Sequence, residues 1–237
     1  MAATFQFAQS TGGILNSGDA EAGSTATVIN TSDTSGASAG NLLEMTDGGQ
    51  AGRRRKIASI TANVSITLDS AFPGAPSTGN LYVVFATTDI GAGGDNHFNF
   101  KNADTANPAD YSSYPITAGA SSYEVYLNAH WTGTFNAITT NKVWMSTYSM
   151  TGYGTGALVT ASVVTNYAQP STTANGDSET PTVEGSALDP TISEGTGTPD
   201  VGTAGYSKLW RMQLQTDSDA TPGTGGTNVM TLKWSES

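Results

Sequence analysis

The chain contains no cysteine, which removes disulfides, thiolate nucleophiles and thiolate metal sites together. Histidine is nearly as scarce: His97 and His130 are the only two, and neither stands in an HxH or HExxH spacing. Such spacings are what bring two imidazoles to one metal. Charge is thin as well, at 12% of residues, about half the share in an ordinary soluble domain. Positive charge is the scarcer sign, with 9 Lys and Arg against 20 Asp and Glu and a net charge of −11. Binding to nucleic acid needs clustered cations to neutralise phosphate, so no nucleic-acid partner is expected. No apolar run approaches the roughly eighteen residues of a membrane span, so no membrane partner is expected either. The opening MAATFQFAQSTGG lacks both a basic n-region and an apolar h-region, and the expectation is synthesis in the cytoplasm without a signal peptide.

What the chain does have is glycine (28 residues), abundant Ser and Thr, and alternation. In Arg54 to Ser70, Ile60, Ala62, Val64, Ile66 and Leu68 alternate with Thr61, Asn63, Ser65 and Thr67. That period of two predicts one long half-buried strand, with an apolar face and a hydroxyl face. Leu81–Asp89 reads as a central strand covered on both faces. Further strands are expected at Thr25–Asn30, 97–101, 122–131, 134–139, 142–150, 157–166, 206–217 and 228–237, with one helical turn at Asn41–Met45. Eight to ten strands and no long helix predict an all-β fold. The architecture expected is a β-sandwich, jelly-roll or immunoglobulin-like, with an extended N-terminal arm and a long acidic loop.

Two domain-level expectations follow. Residues 1–52 are rich in Gly, Ser, Thr and Ala, and read as an extended arm whose order would depend on neighbouring subunits. Residues 53–237 read as a single β-sandwich domain, interrupted at 168–205. That excursion holds six acids, no base, and prolines at 170, 181, 190 and 199. Loops longer than about fifteen residues are uncommon inside a compact domain, and the regular prolines suggest extended chain laid over a surface.

Candidate chemistry is sparse. Glu124 is the one acid well inside a predicted strand, expected on its outward face, and no second carboxylate is evidently paired with it for glycoside hydrolysis. GYGTG (Gly152–Gly156) lacks the Lys of a phosphate loop and reads as a hairpin turn. No GxSxG elbow occurs. Asp89, Asp95, Asp104, Asp110, Asp217 and Asp219 fall in or beside predicted loops, where calcium sites form. A cation is most plausible at Asp89 and Asp95, although Asp is also a common turn residue. No catalytic residue and no resident cofactor is assigned. Tyr126, Tyr148, Tyr153 and Trp131 are candidates for a sugar-stacking platform, or for packing under loops. Arg53, Arg54, Arg55 and Lys56 are four of the nine basic residues. They read either as an edge-strand charge block that resists aggregation or as an assembly dock for an acidic surface, such as the 168–205 excursion of a neighbouring copy.

The C-terminal stretch LWRMQLQTDSDATPGTGGTNVMTLKWSE resembles the closing hairpin of small β-rich structural proteins of tailed bacteriophages. There an LQL-type strand, an ATPG turn and a T-L-x-W/Y strand ending in an acid recur. The resemblance implies a non-enzymatic virion component: a capsid decoration protein, or a tail or fibre subunit on the outside of the particle. Its implied partners are other copies of itself, as a homo-oligomer such as a trimer, and other virion proteins. Two alternatives remain beside it. One is a carbohydrate-binding or adhesin module, with calcium assistance. The other is a subunit of a self-assembling extracellular filament.

Overall fold

The computed structural model describes residues 4–90, 97–105, 108–132, 138–154, 156–192, 205–221 and 228–236. Twelve strands are present among them: β1 (Thr4–Asp19), β2 (Val28–Asn30), β3 (Leu42–Met45), β4 (Arg54–Thr61), β5 (Ser65–Leu68), β6 (Leu81–Asp89), β7 (Val125–Thr132), β8 (Ile138–Thr147), β9 (Ala157–Val164), β10 (Gly205–Tyr206), β11 (Leu209–Thr216) and β12 (Val229–Glu236). The only helical elements described are four short 3-10 turns. The chain is all-β, as the alternation predicts.

Nine strands form one path, β2-β5-β4-β3-β6-β1-β7-β11-β9, with β10 added on β7. β8 and β12 form a separate pair. That pair packs over the β7–β11–β9 face, and Val125, Leu127, Trp131, Val143, Trp210 and Leu232 meet in the largest core. A second core lies under the N-terminal strands, around Ile29, Leu43, Met45, Ile57, Ile66 and Val84. A third and smaller one, with Ala8, Leu42, Phe85, Tyr126, Tyr167, Tyr206 and Leu209, gathers the aromatic hydroxyls.

Four sequence expectations are corrected here. The segment expected to be an arm is structural interior: β1 lies in the middle of the sheet, paired with β6 on one side and β7 on the other. Its Gly, Ser and Thr content misleads because a strand flanked on both sides draws its order from ladder bonds and neighbouring side chains. The expected long strand at 54–70 is a hairpin, turning at Thr61–Val64, where the Val64 N–H donates to Thr61 O. Asn63 takes φ 53° there, a conformation Asn tolerates well. Ile60 pairs with Ile66 and Thr61 with Ser65. From Ser59 to the turn the partners are both even or both odd in number, so the alternation runs unbroken through the turn and conceals it.

Asn41–Met45, expected as a helical turn, contains β3, whose four residues are all buried between β4 and β6. Strands covered on both faces read as short apolar runs, which periodicity alone cannot tell from a helix segment. Residues 97–101 form no strand, although Phe98 and Phe100 do pack inward on the largest core. Of the expected strand at 134–139, residues 134–137 lie outside the described residues.

The 168–192 part of the acidic excursion is a strap that joins the two sheets. Ser178 and Thr180 bond to Ala161 and Val159 of β9, at the end of the large sheet. Pro181 and Leu188 bond to Met145 and Val143 of β8. Prolines are tolerated in such a single-sided cover because its outer groups face no ladder.

Candidate functional site

The polar side chains that stand out in the sequence gather on the face of the large sheet that carries the aromatic-hydroxyl core. Cross-strand pairing accounts for this: Glu44 pairs with Arg54 between β3 and β4, Ala8 with both Asp89 and Asn128, and Tyr206 with His130. Side chains of paired residues stand on one face of a sheet.

Three ionic groups result. In the first, Arg54 Nε lies 2.6 Å from Glu44 Oε2, both side chains being 0% exposed. The guanidinium also donates to the carbonyls of Gly52, Thr165 and Ser207, while Glu44 Oε1 accepts from the Tyr167 N–H. Burial pushes the Glu44 carboxyl above its ordinary value and the Arg54 guanidinium below its own, with the ion pair opposing both shifts. In the second, Asp89 lies 3.4 Å from His130 Nδ1 and 3.9 Å from Lys56 Nζ, and its carboxyl is held below its ordinary value chiefly by His130. The Tyr206 ring stacks on the His130 imidazole at 4.4 Å and 5°. In the third, Arg211 grips Asp177 of the strap through two bonds and also reaches Glu124. Tyr126 donates to the same Glu124 carboxylate, which burial pushes upward. Tyr167 lies among these groups. It is stacked on Phe85 at 4.1 Å and edge-on to Tyr126, and its hydroxyl donates to Gly12 O at 2.6 Å.

The basic cluster is thus placed inside the chain. Arg53, Arg54 and Arg55 are all buried; Arg55 donates to Ala71 O and sits over the Phe72 ring. Lys56 alone keeps a third of its side chain exposed. β4 is not an edge strand, lying between β5 and β3, so neither the charge-block nor the docking expectation matches its location. A readable signal did exist. The acid in LLEM and the bases in RRRK flank the turn-rich TDGGQAG, which is the pattern of a hairpin with an internal ion pair.

The other candidates are mostly internal too. Glu124, expected on an outward face, is buried beneath the strap, with an arginine rather than an open cleft between it and Asp177. Tyr126 and Trp131 are buried, and Tyr148 and Tyr153 pack on the core, so the four present no common sugar platform. His97 is exposed in a segment without strand pairing, far in role from His130. Asp104 accepts from the Gly12 N–H, while Asp110 pairs with buried Lys101 and with Thr105. Asp217 accepts from the Asp219 N–H in a turn. Beside it Gly156 of the GYGTG turn comes so close that an added Cβ would lie 2.0 Å from Asp217 Oδ1. Asp95 lies outside the described residues, and among those described no three of His, Asp and Glu converge as a metal site. A shallow cleft of about 190 Å³ is lined by Thr140, Lys142, Glu184, Lys233, Trp234 and Ser235. The stretch that resembles a phage closing hairpin is divided between sheets: β11 pairs with β7 and β9, whereas β12 pairs with β8.

Residues that sequence reading missed are Tyr167, Tyr206, Asn128, Arg211 and Asp177. Only Arg211 carried a signal, as a lone cation inside an apolar strand, which requires a partner when buried. Compared with protein-family models, with curated proteins and with solved structures, the chain matches none.

Proposed function

We propose that this chain is a structural component of a virus particle of the tailed-phage kind, bound to the outside of the head or forming part of the tail or a fibre. It acts by holding its shape and adding contacts, without catalysis. The observation that supports this most directly is the strap. Residues 178–188 cover the end strand of one sheet and the open side of β8 in the other, and Arg211 locks the strap through Asp177. A body with those edges covered resists uncontrolled strand addition, while loops and bulges remain for specific contacts. At the β1 bulge between Thr11 and Asn16, Ile14 and Leu15 are exposed, although the strand around them is deeply held. Such apolar projections suit contact with another copy or with a second virion protein.

Peptide mass analysis of purified particles, with immunogold labelling, tests the reading. The chain is expected among the virion proteins with label on the particle exterior, and its absence from intact particles overturns the proposal. Light scattering after size exclusion gives the oligomeric state, expected to be a discrete homo-oligomer.

A carbohydrate-binding role is the second reading, supported by the cleft in which partly buried Trp234 lies beside Lys142 and Lys233. Glycan-array binding that is lost in Trp234→Ala, with the fold intact, would favour it.

A further inference from the structure

Five side chains share one patch of the large sheet: Ser10 Oγ, both amide atoms of Asn128 and the Tyr206 hydroxyl are buried with no hydrogen-bond partner, and beside them Asp89 Oδ1 and His130 Nδ1 face each other as an ion pair. Folded interiors seldom leave such atoms orphaned, and a cluster of them points to something that joins them. The register sets them side by side. Ala8 stands between Asp89 of β6 and Asn128 of β7, Ser10 follows two residues along, and His130 lies two beyond Asn128 and opposite Tyr206. Cross-strand partners and residues two apart share a face. All five therefore project to one side, around the small side chain of Ala8.

The spacing of the two strongest donors narrows the occupant. Asp89 and His130 Nδ1 are 3.4 Å apart. That exceeds the roughly 2.7–3.2 Å of a good N–H···O bond. Two ligands each about 2.0–2.1 Å from a tetrahedral zinc ion, however, lie about 3.4 Å from one another. The stacked Tyr206 ring fixes the imidazole plane.

We propose that this face binds a divalent transition-metal ion of the zinc type, with Asp89 Oδ1 and His130 Nδ1 as ligands and the Asn128 amide oxygen and water completing the set. Neither the structural role proposed above nor the aspartate-loop calcium expectation requires such a site. Its ligands are a carboxylate, an imidazole and a neutral oxygen, a set that suits zinc or cobalt better than calcium. The Lys56 ammonium, 3.9 Å from the other Asp89 oxygen, opposes a cation. Because a third of that side chain is exposed, it can swing into water when the ion enters.

The test uses the untagged full chain, stripped with chelator and titrated with Zn²⁺ and Co²⁺. Expected are saturable one-to-one binding, a rise in Tm that chelator reverses, and a Co²⁺ visible spectrum of a four- or five-coordinate N/O site. Asp89→Asn and His130→Gln each lower affinity at least about tenfold, with circular dichroism confirming that they fold. Lys56→Met raises affinity, an outcome that a merely structural role for Asp89 and His130 would not produce, and Lys233→Met leaves it unchanged. Absence of saturable binding overturns the proposal. So does binding that survives in both ligand variants, or a zinc-soaked crystal showing only water between Asp89 and His130.

Discussion

Glu44 and Arg54 face each other across β3 and β4 at 2.6 Å, with no exposed surface on either side chain. Removing one partner of a buried pair strands the other charge in the interior, which costs about 3–5 kcal/mol. Glu44→Gln and Arg54→Met are each expected to lower unfolding free energy by about that amount in urea titrations. Glu44→Leu combined with Arg54→Met is expected to recover much of the loss, because no unpaired charge remains.

The strap makes a second prediction. Arg211→Ala releases Asp177 and leaves Glu124 buried without its cation. A loss of about 2 kcal/mol is expected, together with earlier proteolytic cutting in residues 168–178 than in the parent. Unchanged cutting there would show that the strap's other bonds, those of the Gln213 side chain to Ser171 O and Thr173 O among them, hold it without Arg211.

At high pH the tyrosines decide. Burial pushes the Tyr126 hydroxyl up to about 12, and raises Tyr167 and Tyr206 further. Above the ordinary value of 10.0 the unfolded chain releases phenolic protons that the native chain retains. Stability is therefore full below that pH and falls as pH rises past it. Stability measured across the alkaline range should decline, and Tyr167→Phe, while losing its bond to Gly12 O, should show a shallower decline.

At low pH Asp110 works in the opposite sense. Its bond to Lys101 holds the carboxyl below the ordinary 3.8, so its contribution is present above that pH and disappears as pH falls through the lowered value. An NMR titration of the Asp110 carboxyl should show a midpoint below 3.8, moved upward in Lys101→Met.

A chain beginning at Arg53 is expected not to fold. It lacks β1, which pairs with both β6 and β7, and its circular dichroism should show no cooperative thermal transition.

The fold class was legible because alternation and the positions of β6, β9, β11 and β12 are local properties. Partnership was not. Nothing near Thr4–Asp19 records that its neighbours lie at 81–89 and 125–132, so a central strand read as an arm. The 54–70 hairpin was hidden by a turn that preserves odd and even numbering. For the site, Asp89, Lys56 and His130 each stood out in the sequence, but their convergence depends on pairings between distant strands. Tyr206 and Asn128 gave no local sign, since an aromatic or an amide in a strand is ordinary until its surroundings are known.

The placement of β1 also bears on how the protein is made. β1 takes its second partner only when residues 125–132 exist, and β9 and β11, which complete that side of the sheet, come later still. Pairings so distant in sequence close slowly, since loop entropy is spent before the contacts form. Until residues 125–132 have left the ribosome, β1 waits with one edge open, and the yield of native protein depends on how long that edge stays clear of other chains.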